Sequence, residues 1–181
     1  AELQLELLAA LPAALLPLLE EIEIRRYRLG LVSFDELQSK AVRLLERHPS
    51  LARRVRGAID QLLVDEFQDT DALQCRLVEQ LALAGSPDER PGLLLVGDPK
   101  QSIYGWRRAD LAAFEGFRRR LAEHGGRVEA LTVNFRSVPA ILAEVERAMA
   151  PAFEPEPGVQ PPFVPLVASP EKTGATGCTL G

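Results

Sequence analysis

Cysteine is almost absent: Cys75 and Cys178 are the only two in 181 residues, far apart and outside any Cys-x-x-Cys pairing. That count argues against a disulfide framework and against a cysteine-built zinc site, and it fits a reducing compartment. Histidine is equally scarce. His48 and His124 both fall at expected helix ends, where capping or exposure is the ordinary use. Positive charge is not in excess: 21 Lys and Arg stand against 26 Asp and Glu, a net charge of −5, so there is no global basic footprint for nucleic acid. Long apolar runs are missing too. The longest stretch, from Leu7 to Leu19, is too short to span a membrane and contains Pro12 and Pro17. With no basic flank before it and no leading Met, it does not read as a signal peptide. The chain begins on Ala and reads as a piece of something longer.

What is present describes a soluble globular protein: 46% hydrophobic residues, 26% charged residues, and enough length for one good core or for one domain and part of another. Residues 3–24 are rich in Leu, Ala and Glu and predict a helix interrupted at the two prolines. Ser33 and Glu36 form a capping box for a helix running to about His48, with Val32 and Leu37 as its staple and Leu37, Ala41, Leu44 and Leu45 as its buried stripe. Pro49 stops that helix, and Ser50 starts a short basic one through Arg56.

Three apolar strands follow, expected over 61–66, 93–96 and 131–135. The first two are uniformly apolar, as in strands covered on both faces. Helices alternate with them. One is capped by Thr70 or Asp69, with Leu73, Leu77, Val78 and Leu81 on one side. One is capped by Asp110, with Leu111, Phe114, Phe117 and Leu121 inward and Gly125 as its stop. One starts at Ser137, with Ile141, Leu142, Val145 and Met149 buried. This alternation predicts an α/β fold with parallel pairing and right-handed crossovers. Residues 151–170 hold half of the 14 prolines and read as a loop or linker. Arg107, Arg108 and the 118–120 arginines are local basic clusters, the latter expected to be a solvated helix face.

Each strand delivers polar groups at its carboxyl end, where open α/β sheets place their ligands. The first ends in Asp65-Glu66-Phe67-Gln68-Asp69-Thr70, the second in Gly97-Asp98-Pro99-Lys100-Gln101-Ser102, the third in Asn134-Phe135-Arg136-Ser137. An acid pair, a Gln and an Arg are what a nucleotide-hydrolysing site sets around Mg²⁺ and a γ-phosphate. Asp65 can hold the metal while Glu66 accepts a proton from water; alternatively, the pair is an acidic turn before a helix. Tyr104-Gly105-Trp106-Arg107-Arg108 interleaves aromatics with arginines, as a stacking platform for single-stranded nucleic acid does; the alternative is a core aromatic at Trp106. Arg136 would otherwise be a surface salt bridge.

These segments resemble the UvrD/RecB branch of superfamily 1 DNA helicases. Asp65 to Thr70 resembles its Walker B segment. The segments from Val96 to Asp110 and from Asn134 to Ser137 resemble the next two motifs, in the family's order. Gly30 to Leu37 resembles the Gly-x-x-x-Phe-x-Asp-Leu segment ahead of Walker B, with Glu36 where Asp is more usual. The resemblance covers about residues 20–150, and the Pro-Lys-Gln after Gly97-Asp98, with Phe163 to Leu166, is closer to the RecB/AddA subgroup. Gly is more usual where Arg108 stands.

The resemblance implies a RecA-like P-loop NTPase fold, partial here. Residues 1–58 would be a helical segment, 59–128 the later part of the first RecA-like domain, and 129–181 the start of the second. It implies ATP and Mg²⁺ as cofactors, with Asp65 on the metal, Glu66 as general base, Gln101 sensing the γ-phosphate, Arg136 as arginine finger and Gln68 coupling the nucleotide site to the next motif. Tyr104, Trp106 and Arg107 would touch single-stranded DNA. A second subunit of a RecBCD/AddAB-like complex and a cytoplasmic location follow from the same likeness. No Gly-x-x-x-x-Gly-Lys-Ser/Thr occurs in the chain, so the phosphate cradle and any turnover belong to the intact parent. Two other readings are a metal-dependent nuclease using Asp65, Glu66 and Asp69, and a non-catalytic DNA-binding or assembly subunit.

Overall fold

The computed structural model describes residues 2–172 and divides into two compact units after Leu44. The first holds α1 (Glu2–Arg28) and most of α2 (Phe34–Arg47). α1 runs straight through Pro12 and Pro17 instead of breaking there. Each proline removes one backbone donor, and the Leu/Ala/Glu-rich turns around them keep a strong helical preference. Gly30 at φ 66° ends α1: its N–H donates to the Tyr27 carbonyl, and the Leu31 N–H reaches back to Arg26.

The α2 capping box is present as expected. The Ser33 N–H donates to Glu36 Oε2 at 2.8 Å, and the Glu36 N–H to Ser33 Oγ at 3.3 Å. Arg26 pairs with the same Glu36 carboxylate. The backbone bond from Ser33, with Arg26 beside it, holds the Glu36 carboxyl below the ordinary carboxylate range. Of the expected stripe, Leu45 is buried and Ala41 half-buried, but Leu37 and Leu44 are exposed and Val42 is buried instead; Val32, expected in the staple, is exposed as well. Spacing gave the helix but not which arc of it finds a partner.

The second unit opens with α3 (Pro49–Arg56), which begins one residue before Ser50 because proline suits the first helical position. β1 (Gln61–Val64) and β2 (Gly92–Leu95) pair in parallel, Leu62 opposite Leu93 and Val64 opposite Leu95. Between them lies α4 (Ala72–Ala82), capped by Asp71 rather than Thr70 or Asp69. Asp71 Oδ1 accepts from the Gln74 N–H at 2.7 Å, and the Gln74 side chain returns the bond to the Asp71 N–H at 3.0 Å. α5 (Leu111–Glu123) is capped by Asp110 and closed by Gly125 at φ 83°, both as expected. His124 sits at that end, its ring nitrogen on the Arg120 carbonyl.

The core of this unit is aromatic. Phe67, Phe114 and Phe117 pack with Cys75, Leu83 and Leu111, and the Phe67 and Phe117 rings meet edge to face at 5.1 Å. Cys75 is the small buried hydrophobe expected, its thiol pushed up by burial. Cys178 lies outside the described residues. Leu62, Val64, Leu93 and Leu95 are half-buried on one face, whereas Leu63 and Leu94 are exposed on the other. The expectation of two covered faces is thus corrected to one within this chain.

Two further corrections concern the carboxyl-terminal part. β3 is only Val133–Asn134 and does not join β1 and β2. It pairs in parallel with β4 (Val167–Ala168), in a sheet of its own. The proline-rich 151–170 stretch therefore contributes a strand and the buried Ser169. α6 (Pro139–Met149) begins after Val138, and Ile141, Val145 and Met149 are exposed. Among the described residues, no helix is long and apolar enough to cross a membrane.

Candidate nucleotide and nucleic-acid site

Burial of Phe67 organises what flanks it. β1 ends at Val64, and Phe67 turns into the core within a single 3-10 turn, Phe67–Asp69. The chain makes this change of direction by placing Glu66 in the left-handed region, at φ 51° and ψ 40°. A non-glycine residue there carries strain of order 1–3 kcal/mol and persists only where surrounding bonds fix it. Here the Phe67 N–H donates to the Val96 carbonyl at 2.9 Å, and the Asp69 N–H to the Glu66 carbonyl at 3.0 Å. Asp65 and Glu66 thus stand exposed at the carboxyl end of β1, with Asp65 Oδ1 accepting the Glu66 N–H at 2.9 Å.

Gln68 is only 1% exposed and joins the ends of both strands. Its Nε2 donates to Glu66 Oε2 at 2.7 Å, and its Oε1 accepts the Asp98 N–H at 3.0 Å. The Ser102 hydroxyl donates to the Gln68 carbonyl at 3.0 Å. Asp98 then holds its own loop: Oδ1 accepts the Lys100 N–H at 3.0 Å and Oδ2 accepts from Gln101 Nε2 at 3.1 Å. The structure therefore brings Asp65, Glu66, Gln68 and Gln101 into one network.

Asp98 and Ser102 are the members to which the sequence reading gave no role, although they stand in its second strand-end run. Their signal was a short polar run directly after an apolar strand, parallel to the run at 65–69. Asp98 is also an acid two residues ahead of a backbone N–H that it caps.

The three-carboxylate metal site is not formed: among the described residues, no group of three His, Cys, Asp or Glu is placed to hold a metal. The nuclease reading, which needs Asp65, Glu66 and Asp69 together, loses its ligand set. The donor chemistry still suits Mg²⁺ bound with a nucleotide, because Mg²⁺ takes one or two carboxylates and fills its other positions with phosphate oxygens and water.

A second cluster lies on the segment after Ser102. Trp106 is 73% exposed and Tyr104 is exposed as well, their ring centroids 6.2 Å apart. The Arg107 guanidinium lies 4.6 Å from the Trp106 centroid and 5.9 Å from that of Tyr104. Within this chain Trp106 is therefore not part of the core. Arg108 closes the 3-10 turn Gly105–Arg107 at φ 71°, a left-handed conformation that accounts physically for glycine being the easier residue there. In the 118–120 run, Arg118 and Arg119 are solvated as expected, but Arg120 lies over the Phe117 ring and pairs with Glu79.

Arg136 stands apart. It is exposed beyond β3, and its bond is a backbone one, from its N–H to Asn134 Oδ1 at 2.9 Å. Asn134 Oδ1 also takes the Ser137 N–H at 2.7 Å, so this segment is held by an Asn-centred turn.

A family model described as the UvrD/REP helicase N-terminal domain matches residues 10–122. The RecBCD enzyme subunit RecB of Mycolicibacterium smegmatis is 36% identical over 72% of this chain and 11% of its own length. DNA helicase II of Haemophilus influenzae is 35% identical over 68% of the chain and 16% of its own length. The RecBCD enzyme subunit RecB of Chlamydia trachomatis is 38% identical over 61% of the chain and 10% of its own length. The chain thus spans between a tenth and a sixth of the length of these relatives.

Proposed function

The chain belongs to the UvrD/REP helicase family, and from that premise we propose that it is part of an ATP-dependent DNA helicase whose hydrolysis of Mg²⁺-ATP drives movement along single-stranded DNA. The observation that carries this reading is the network at the carboxyl ends of β1 and β2. One buried amide, that of Gln68, joins Glu66 to the loop that bears Gln101. Groups so placed can address one phosphate together, as a hydrolytic site requires.

In this reading Asp65 would hold Mg²⁺, which neutralises phosphate charge when bound. Glu66, exposed beside it, accepts the proton of the attacking water. Gln101, whose amide now rests on Asp98, turns toward the γ-phosphate. Arg136 acts from the second RecA-like domain, at 129–181, on a site built mainly by 59–128. The membership of β3 in a separate sheet supports this boundary. The exposed Trp106, Tyr104 and Arg107 stack on bases and meet phosphate. The names of the relatives, a DNA helicase and a subunit of the RecBCD enzyme, support DNA as the substrate and a second subunit as the partner; recombination or repair of DNA in the cytoplasm is the setting that goes with this reading.

The deciding experiment is Glu66→Gln in the full-length protein that carries this chain. Loss of a general base costs on the order of 10²–10⁴ in rate, so DNA-stimulated ATP hydrolysis should collapse while ATP affinity stays near that of the wild type. Hydrolysis within a few-fold of wild type would place the base elsewhere. A full-length protein without any ATP hydrolysis would favour a DNA-binding or assembly subunit. Residues 1–181 alone, having no P-loop sequence, should not turn over ATP.

A further inference from the structure

Gln68 is not merely near Glu66; its amide can sit there in only one orientation. One end faces a carboxylate, which in its ionised form only accepts, and the other faces the Asp98 N–H, which only donates. Turning the amide over would set oxygen against oxygen and N–H against N–H. The geometry therefore fixes the NH₂ on Glu66. The space for this amide comes from Gly97. A Cβ at position 97 would lie 2.7 Å from Gln68 Oε1, 3.1 Å from the Gln68 nitrogen and 3.3 Å from the Phe67 nitrogen. Gly97 is not a positive-φ glycine, so its requirement is room and not backbone freedom.

We propose that Gly97 is a positioning residue for Glu66, acting through the Gln68 amide, whose coupling role the family resemblance already implies. The missing side chain at 97 admits the Gln68 amide, which locks the Glu66 carboxylate to the loop carrying Gln101, so that the two groups move as one. The inference rests on the reading of Glu66 as the base. Its content is that an alanine at 97, a residue touching no nucleotide in this reading, acts through two side chains on the reacting water. The two backbone nitrogens near the added methyl belong to Phe67 and Gln68. The displacement therefore falls first on the Gln68 amide and then on the backbone of the turn that follows Glu66.

The test uses the full-length protein, with single-stranded DNA saturating. It measures kcat and KM for ATP, equilibrium ATP binding, and melting temperature for Gly97→Ala, Gln68→Glu and the double variant. Gln68→Glu keeps the acceptor for Asp98 but sets a carboxylate oxygen against Glu66. A misplacement of about 1 Å in a reacting group costs as much as 10²-fold, so kcat should fall at least about tenfold in each single variant. KM should stay within about threefold, the signature of an interaction used in the chemical step. The double variant should be no worse than the weaker single one, because both act through one amide.

Turnover within about twofold of wild type in both variants, with Glu66→Gln inactive, would overturn the positioning role and leave the base assignment standing. A kcat that falls only in proportion to the folded fraction would overturn it as well. Should Gln68→Glu fail to fold, Gly97→Ala decides alone, since Gly97 is exposed. An active Glu66→Gln would remove both readings at once.

Discussion

Trp106→Ala separates a nucleic-acid contact from a structural one, because the two roles predict different numbers. The side chain is 73% exposed, so about a quarter of it is withdrawn from water. For a Trp burying roughly 200 Å² when fully covered, that is about 50 Å². At about 25–30 cal/mol per Å² this is worth roughly 1.5 kcal/mol, an upper estimate because the unfolded chain already hides some of the surface. Losing the stacked Arg107, 4.6 Å from the ring centroid, adds about 0.5–1 kcal/mol at an exposed site. The variant should therefore lose no more than about 2.5 kcal/mol, against roughly 3–5 kcal/mol for a core Trp.

If the ring stacks on a base, single-stranded DNA binding should weaken by about 1–3 kcal/mol, roughly 5- to 150-fold in Kd. The assay is a pair of measurements on the full-length protein: chemical unfolding, and anisotropy titration of a labelled oligonucleotide at one fixed salt concentration, since phosphate contacts make affinity salt-dependent. In the isolated 181-residue chain, Trp106 is the only tryptophan, so quenching of its fluorescence by an oligonucleotide reports the contact directly. Unchanged affinity of the folded variant, together with no quenching in the isolated chain, would refute the stacking role.

Three other outcomes follow from the geometry. Arg136→Ala in the full-length protein should lower turnover by about 10³–10⁵, as for an arginine finger, with Mg²⁺-ATP binding retained; near-normal turnover in a steady-state assay would return Arg136 to a surface role. At the left-handed position of residue 108, Arg108→Gly should be more stable than Arg108→Ala by about 1 kcal/mol in urea unfolding. Equal stability would mean that the turn relaxes. Glu36 has its carboxyl lowered by the Ser33 backbone bond and Arg26, so its contribution is complete above the ordinary carboxylate pKa and is lost as pH falls through the lower folded value. Protection of the Ser33 amide from hydrogen exchange, corrected for intrinsic rate, should drop over that acidic window, and Glu36→Gln should abolish the dependence.

The features legible in the sequence are the ones set within a few residues. The Ser33–Glu36 capping box, the Asp110 cap and the Gly125 stop close through hydrogen bonds three to five residues apart, so local residue types decide them. The same holds for the polar groups at strand ends, which follow directly on each apolar run in the chain. Asp71 was missed as the cap of α4 because Asp69, Thr70 and Asp71 are all competent. Only the reciprocal bond with Gln74, three residues on, selects one of them.

Tertiary structure decided everything that depends on a distant partner. An apolar strand does not state how many of its faces are covered: Leu94 looks like Leu93 and Leu95 in sequence, yet Leu93 and Leu95 pack against the phenylalanine core while Leu94 is exposed. A short strand does not name its neighbour, and β3 joins β4 across the proline-rich stretch because the ladder there is satisfied by Val167 and Ser169, whose N–H groups donate to Thr132 and Asn134. The left-handed turn at Glu66 and the burial of Gln68 arise where the end of β1 meets the end of β2, about 30 residues apart in sequence. Side chains that meet at such a distance are set by packing rather than by local preference, and there the acid pair written in the sequence acquires its geometry.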